Sequence, residues 1–336
     1  MKSALKRYDS GKNLPTRPSS YGGWTMGDSP RYTKAQLRQY FDRICLPDNL
    51  REYDVTPLSP QEQLDYLAML QKQSLSTIPF ENLSLHYSQH HRISLDPEEL
   101  FKKQVQTQGR GGYCMENNLV HNIVLRSLGY QIYSAGARVK AGPEAPYNGW
   151  SHMVNLVTIG THKYMIDVGF GPNGPTHPLR LERNACDTTS TQIAPAEMRL
   201  VWKNVDGNTD LNQRLWVYQH RVNNELPWLD MHCFTELEFM PEDYEIMNYW
   251  TSTSPKIWFT QKVMCAKMVI DSPENSELVG AMILQDDLKL RIHGKTESQQ
   301  AFKKEEDRVT ALDRVFGIVL SKTERAGIKG LVSEIK

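Results

Sequence analysis

The chain has 336 residues, with 39 Lys and Arg against 39 Asp and Glu, 39% hydrophobic and 23% charged. This is ordinary globular usage at a length that calls for about two or three domains rather than one small core. The even charge balance argues against nucleic acid or an anionic membrane as partner, and no apolar run approaches the roughly 18–20 residues needed to span a bilayer.

In chain order, residues 1–31 carry Lys2, Lys6, Arg7, Lys12 and Arg17 among Ser, Gly and Pro without apolar periodicity, and a flexible N-terminal extension is expected. No hydrophobic signal segment is present, and Asp9 with weak amphipathicity counts against a transit peptide, so the protein reads as cytoplasmic. Thr33 and Gln36 have the spacing of a capping box, followed by the apolar face Leu37, Tyr40, Phe41 and Ile44. Ser59-Pro60-Gln61-Glu62 predicts a second helix through Leu64, Leu67 and Ala68, with proline at the first helical position, and Asp96-Pro97-Glu98-Glu99 predicts a third start. A further helix opens at Cys114, carries Val120, Ile123, Val124 and Leu128, and stops at Gly129.

From Tyr130 the texture changes to short β-prone runs separated by Gly, Pro and Asn, which predicts a small sheet or barrel. Residues 226–255 read as an aromatic-rich connector. Strands resume from Ile257 to His293 with a turn at Asp286-Asp287, and a last helix carries Val309, Leu312, Phe316 and Val319. The expected fold is α+β and multidomain: a helical domain over 32–129, a β-barrel-like domain over 130–225, the connector, and an α/β lid over 256–336.

Chemistry concentrates around Cys114. It follows the glycine turn Gly109-Arg110-Gly111-Gly112 and stands in the first turn of its helix, where unpaired amide hydrogens and the helix dipole favour an anion and hence a thiolate nucleophile. The runs 152–158 and 163–169 predict a hairpin about Gly160-Thr161 in which 158 faces 163, 154 faces 167 and 152 faces 169. His152 and Asp167 are then diagonal neighbours on one face, roughly 7–8 Å apart at the backbone, within reach of an imidazole and a carboxylate. A slip of one residue would separate them. A lone cysteine is more often a small buried hydrophobe, and His152 or Asp167 alone would be unremarkable; the conjunction points to a nucleophile, its base and the base's orienter. Cys45, Cys186, Cys233 and Cys265 lack such company, and the five cysteines are too irregular for a disulfide framework or a zinc site, so no metal is expected. His177, in the Pro172–Pro178 loop, reads as a turn residue.

Arg110-Gly-Gly-Tyr-Cys114-Met-Glu116-Asn-Asn118, with Ile78-Pro79-Phe80-Glu81-Asn82-Leu83 upstream, Asp167-Val168-Gly169-Phe170-Gly171 downstream, and Pro241-Glu-Asp-Tyr, Asn248 and Thr253-Ser254-Pro255 further on, resembles the arylamine N-acetyltransferase family over about residues 33 to 320. The resemblance implies Cys114, His152 and Asp167 as a triad, an ion pair of Arg110 with Glu81 beneath it, and Asn118 steadying the cysteine helix. It implies that Phe170 lines the acceptor pocket, that Gly171 lies beside the acyl carrier and that Tyr113 contributes to substrate binding. It further implies an acyl-CoA co-substrate, no permanently bound cofactor, and an acetyl, propionyl or malonyl group passed through a Cys-linked intermediate to an arylamine, hydrazine or arylhydroxylamine, as in xenobiotic metabolism. The rival reading from the Cys, His, Asp order is a papain- or transglutaminase-like cysteine hydrolase, although no protease signature surrounds Cys114.

Overall fold

The computed structural model describes residues 29–184, 188–272 and 277–336. Most of the expected N-terminal extension, and Cys186, lie outside the described residues. Residues 31–336 form one compact unit.

The helix starts follow the expected caps. In α1 (Lys34–Arg43) the Thr33 hydroxyl accepts from the Gln36 amide while Gln36 accepts from Thr33 N at 2.9 Å, and Ser59 with Glu62 repeats the reciprocal bonds at the start of α2 (Pro60–Thr77). A two-residue strand, β1 (Phe80–Glu81), and a short helix, α3 (Ser84–Tyr87), lead to α4 (Pro97–Phe101), where Asp96 caps the amides of Glu98 and Glu99 at 3.0 Å each. The cysteine helix, α5 (Cys114–Ser127), ends just before Gly129, whose φ of +98° suits glycine. Tyr40, Phe41, Leu67, Leu70, Ile123 and Val124 are fully buried together, and Val157, Ile159 and Ile166 from the following sheet enter the same core. Helices and sheet are thereby fixed against each other rather than joined through a loop.

That sheet has eight antiparallel strands: β2 (Gln131–Lys140), β3 (Tyr147–Ile159), β4 (His162–Ile166), β5 (Leu179–Arg180), β6 (Ser190–Thr191), β7 (Glu197–Lys203), β8 (Leu215–Arg221) and β9 (Leu229–Glu238). The order is β5-β4-β3-β2-β9-β8-β7-β6, and no pairing of β5 with β6 closes it among the described residues, so the expected barrel is an open, curled half-barrel. Its concave core contains Ala137, Val154, Leu156, Trp216, Tyr218 and Phe234.

Register in the β3–β4 hairpin is as expected at Thr158↔Lys163, and the ladder continues to Asn155↔Ile166, where β4 ends one residue before Asp167. The stretch 226–255 is not an irregular connector. It supplies β9, hydrogen-bonded between β2 and β8, and α6 (Pro241–Thr253). Leu229, Met231 and Cys233 do alternate with Asp230 and His232, but Cys233 packs with Val205 and Val217 while Phe234 joins the half-barrel core, so both faces of the strand are buried.

A second sheet runs β1-β10-β11-β12-β13, with β10 (Cys265–Ile270), β11 (Leu278–Leu284), β12 (Asp287–Ile292) and β13 (Lys295–Ala301). Phe80 pairs with Ala266 and Glu81 with Cys265, so the N-terminal part contributes the edge strand of the C-terminal sheet. The chain ends in α7 (Glu305–Phe316) and α8 (Lys322–Gly327). Val319, expected on the last long helix, lies beyond it and is 67% exposed, because Gly317 in the left-handed region (φ +69°) terminates α7.

Candidate active site

The glycine turn holds Cys114 by close approach rather than by flexibility. A Cβ on Gly111 would stand 1.9 Å from the Pro79 carbonyl oxygen, and the Glu81 amide donates to the Gly112 carbonyl at 2.9 Å, so the turn is clamped against β1. On the other side, a Cβ on Gly169 would meet the Cys114 carbonyl oxygen at 2.6 Å. The loop leaving β4 is therefore packed directly on the first residue of α5.

His152 and Asp167 meet as expected, with Nε2 and Oδ2 2.7 Å apart and both side chains buried. The His152 ring also interacts with the Cys114 thiol, which is 3% exposed and 3.7 Å from the Ser151 carbonyl oxygen. Burial opposes charge on His152, yet the Asp167 carboxylate and Cys114 outweigh it and raise the imidazole to about 10. Burial likewise opposes charge on Asp167, but its histidine neighbours hold the carboxyl well below the usual carboxylate range. At neutral pH the pair is an imidazolium and a carboxylate.

Asn118 does more than steady α5. Its Nδ2 donates to Asp167 Oδ1 at 2.8 Å and to the Met153 carbonyl at 2.7 Å, while its Oδ1 accepts from the Val168 amide at 3.0 Å. One side chain thus fastens the cysteine helix to both the histidine strand and the aspartate loop. Gly169 N adds a second donor to Asp167 Oδ1 at 2.8 Å.

Phe170 sets its ring edge-on to His152 at 5.3 Å and also meets Tyr218 and His232. Gly171, at φ +83°, lies against Phe80 beside a small cleft shared with Leu75, Val168 and Met268. Tyr113, expected to contribute to substrate binding, is fully buried; its hydroxyl donates to Asn248 Oδ1 and its ring packs edge-on against Phe259. It ties the cysteine turn to α6.

Arg110 and Glu81 form the expected ion pair at 3.0 Å, but the pair is part of a larger cluster. Lys103, which sequence reasoning missed, stands 3.6 Å from Glu81 and 2.7 Å from Glu116, and Glu116 accepts from the Tyr113 amide at 3.0 Å. Burial pushes Glu81 up, yet Arg110 and Lys103 prevail and lower it; at Glu116 burial prevails and raises it.

His232 was also missed. From β9 its Nε2 reaches within 3.5 Å of Asp167 Oδ2, its ring lies 5.0 Å from that of His152, and it stacks on Tyr218 at 5.1 Å with 27° between planes. Burial and the charged His152 ring lower it to about 4 despite Asp167, so it is neutral at pH 7. Among the described residues, His152, Asp167 and His232 form a group whose ligand atoms lie close enough to share a metal ion, all within 4.8 Å of one another. The other described cysteines are elsewhere: Cys45 is exposed, while burial raises Cys233 to about 12 and Cys265 above its ordinary value. His177 binds only the Pro178 carbonyl, at 3.0 Å, as a turn residue does.

Solved structures with this fold include arylamine N-acetyltransferases. A structure of the arylamine N-acetyltransferase from Mycobacterium abscessus superposes with a TM-score of 0.72 over 87% of this chain and 93% of that one at 24% identity. The Mycobacterium marinum enzyme in complex with CoA gives 0.68 over 87% and 97% at 29% identity. An N-acetyltransferase family model matches residues 63–325. The chain belongs to the arylamine N-acetyltransferase family, whose co-substrate is an acyl-CoA. Among curated relatives, an N-malonyltransferase FDB2 from Fusarium pseudograminearum is 36% identical over 89% of this chain and 93% of its own, and the Escherichia coli arylamine N-acetyltransferase 31% identical over 62% and 68%. The hydrolase alternative receives no support from these matches. Among the described residues no helix is long and apolar enough to cross a membrane.

Proposed function

We propose that the protein transfers an acyl group, with malonyl as the favoured one, from acyl-CoA to the nitrogen of an arylamine through a thioester on Cys114. The observation that carries this reading is the buried His152–Asp167 pair at 2.7 Å, next to Cys114, with the imidazole raised to about 10. A histidine so placed holds a proton that can pass to the departing CoA thiolate.

The Cys114 thiolate attacks the acyl-CoA carbonyl, the carbon–sulfur bond to CoA breaks, and the departing thiolate takes the His152 proton. One thioester has replaced another, so the step is close to balanced. His152, now neutral, accepts a proton from the arylamine nitrogen as it attacks; the Cys114 thiolate leaves and the ion pair is restored. Asp167 stays ionised throughout and fixes the ring. Cys114, Met153, Tyr244 and Met247 belong to one apolar cluster against which Phe259 also packs, so α6 joins the α/β domain over 256–336 in the cover that keeps water from the thioester.

Malonyl is favoured over acetyl because the malonyltransferase relative matches across 89% of the chain at higher identity than the acetyltransferase relative. CoA release measured with malonyl-, acetyl- and propionyl-CoA, each with an arylamine and a hydrazine, tests both parts. Malonyl-CoA should give the largest kcat/KM, with parallel double-reciprocal lines. A preference for acetyl-CoA would reverse the donor assignment, and intersecting lines would remove the covalent route.

A further inference from the structure

Beyond this activity, we propose that His152, Asp167 and His232 bind one divalent ion of the Zn2+ class, and that the bound ion blocks acylation of Cys114. The argument begins with His232. Its side chain is 0% exposed, yet neither ring nitrogen has a hydrogen-bond partner among the described residues, an uncommon state for a buried polar group. The ring is held in place by Tyr218 and Phe170, and its Nε2 faces Asp167 Oδ2 at 3.5 Å without making a hydrogen bond.

Tetrahedral zinc with bonds of about 2.0–2.1 Å sets neighbouring ligand atoms roughly 3.4 Å apart. The His232–Asp167 separation, 3.5 Å, is close to that value, and the His152–Asp167 separation has to open from 2.7 Å by roughly 0.7 Å. Asp167 is oriented for the task, because Asn118 and Gly169 N occupy Oδ1 and leave Oδ2 toward the two rings. Two imidazoles and a carboxylate suit zinc, with a water in the fourth position.

The exchange balances. The ion enters between His152 Nε2 and Asp167 Oδ2 and the proton they share leaves to solvent. Acylation needs His152 oriented by Asp167, and the ion takes both of the atoms that make that contact, hence the block. His152, Asp167 and Tyr218 are the titratable groups that face His232, and Phe170 and Phe234 pack against its ring.

The test is a titration of the metal-free full chain with Zn2+ against a chromophoric chelator, repeated with Co2+ as a spectroscopic probe. One equivalent should bind, Co2+ should show the intense visible absorption of a tetrahedral site without a thiolate-to-cobalt charge-transfer band, and Cys114→Ala should bind the ion as the wild type does. Binding should disappear in His232→Phe and in the more polar His232→Gln, judged in whichever keeps the wild-type circular dichroism, and Zn2+-loaded wild-type protein should form no acyl-enzyme with acyl-CoA. Octahedral Co2+, or binding unchanged in a folded His232 variant, would overturn the proposal. Because binding is read directly, failure here leaves the acyl-transfer reading standing, and failure of acyl transfer leaves this one.

Discussion

Asp167 holds its place through three hydrogen bonds on two oxygens, from Asn118, Gly169 N and His152, with His232 close on a fourth side. Asp167→Asn keeps the size but replaces the negative oxygen opposite His152, so the imidazolium loses its counter-charge and the ring its fixed tautomer. By triad logic, acyl-enzyme formation should slow by about four orders of magnitude while the circular dichroism is retained, as rapid-quench mass spectrometry would record. Acylation at the wild-type rate would show that Asp167 does not orient His152. At this scale Cys114, His152 and Asp167 were legible because each lies in a local pattern: a glycine turn into a helix, and one hairpin whose register follows from its loop. His232 was not, since its relation to Asp167 depends on β9 pairing with β2 across roughly a hundred residues, which no local period reports.

Among the elements, the turn before α5 is held by Arg110, Lys103, Glu81 and Glu116, and the two ends of the Arg110–Glu81 pair are not equivalent. Glu81→Ala leaves two cations facing the buried space it vacates, and stability should fall by roughly 3–5 kcal/mol in urea unfolding. Arg110→Ala leaves Glu81 with Lys103 at 3.6 Å and with amide donors from Leu83 and Gly111, so the loss should be smaller. Equal losses would mean that Lys103 does not compensate. The caps at Thr33, Ser59 and Asp96 were readable because a helix start is decided by three or four consecutive residues. The strand β13 was not, since Lys295–Ala301 is exposed along its whole length and its sequence carries no apolar alternation. β1 is only two residues long and exists because β10 pairs with it.

For the molecule as a whole, the buried histidines divide into two groups with opposite effects of pH. His152 is raised from 6.5 to about 10, so the stability it contributes is fully present below about pH 6.5 and is lost as pH rises through 10. Burial lowers His86 and His220 to about 4 and His121 to about 3; what they contribute is present above pH 6.5 and lost as pH falls through those values. Thermal unfolding should therefore give the highest Tm near pH 6.5, with a decline on both sides, and Asp167→Asn should flatten the alkaline limb. A Tm still rising at pH 9 would contradict the charged state assigned to His152. The α+β class was legible from the change of periodicity at Tyr130, but the sharing of a core between helices and half-barrel, and the loan of β1 to the second sheet, arise from tertiary packing.

The central claim is that the acyl group resides on Cys114 between donor and acceptor. Brief incubation with malonyl-CoA or acetyl-CoA, acid quench and peptide mass spectrometry tests it most directly. One acyl increment should appear on the peptide containing Cys114 and on no peptide containing Cys45, Cys233 or Cys265; it should be absent in Cys114→Ala and disappear when an arylamine is added before the quench. Turnover by Cys114→Ala, or an increment that survives the arylamine, would contradict the account.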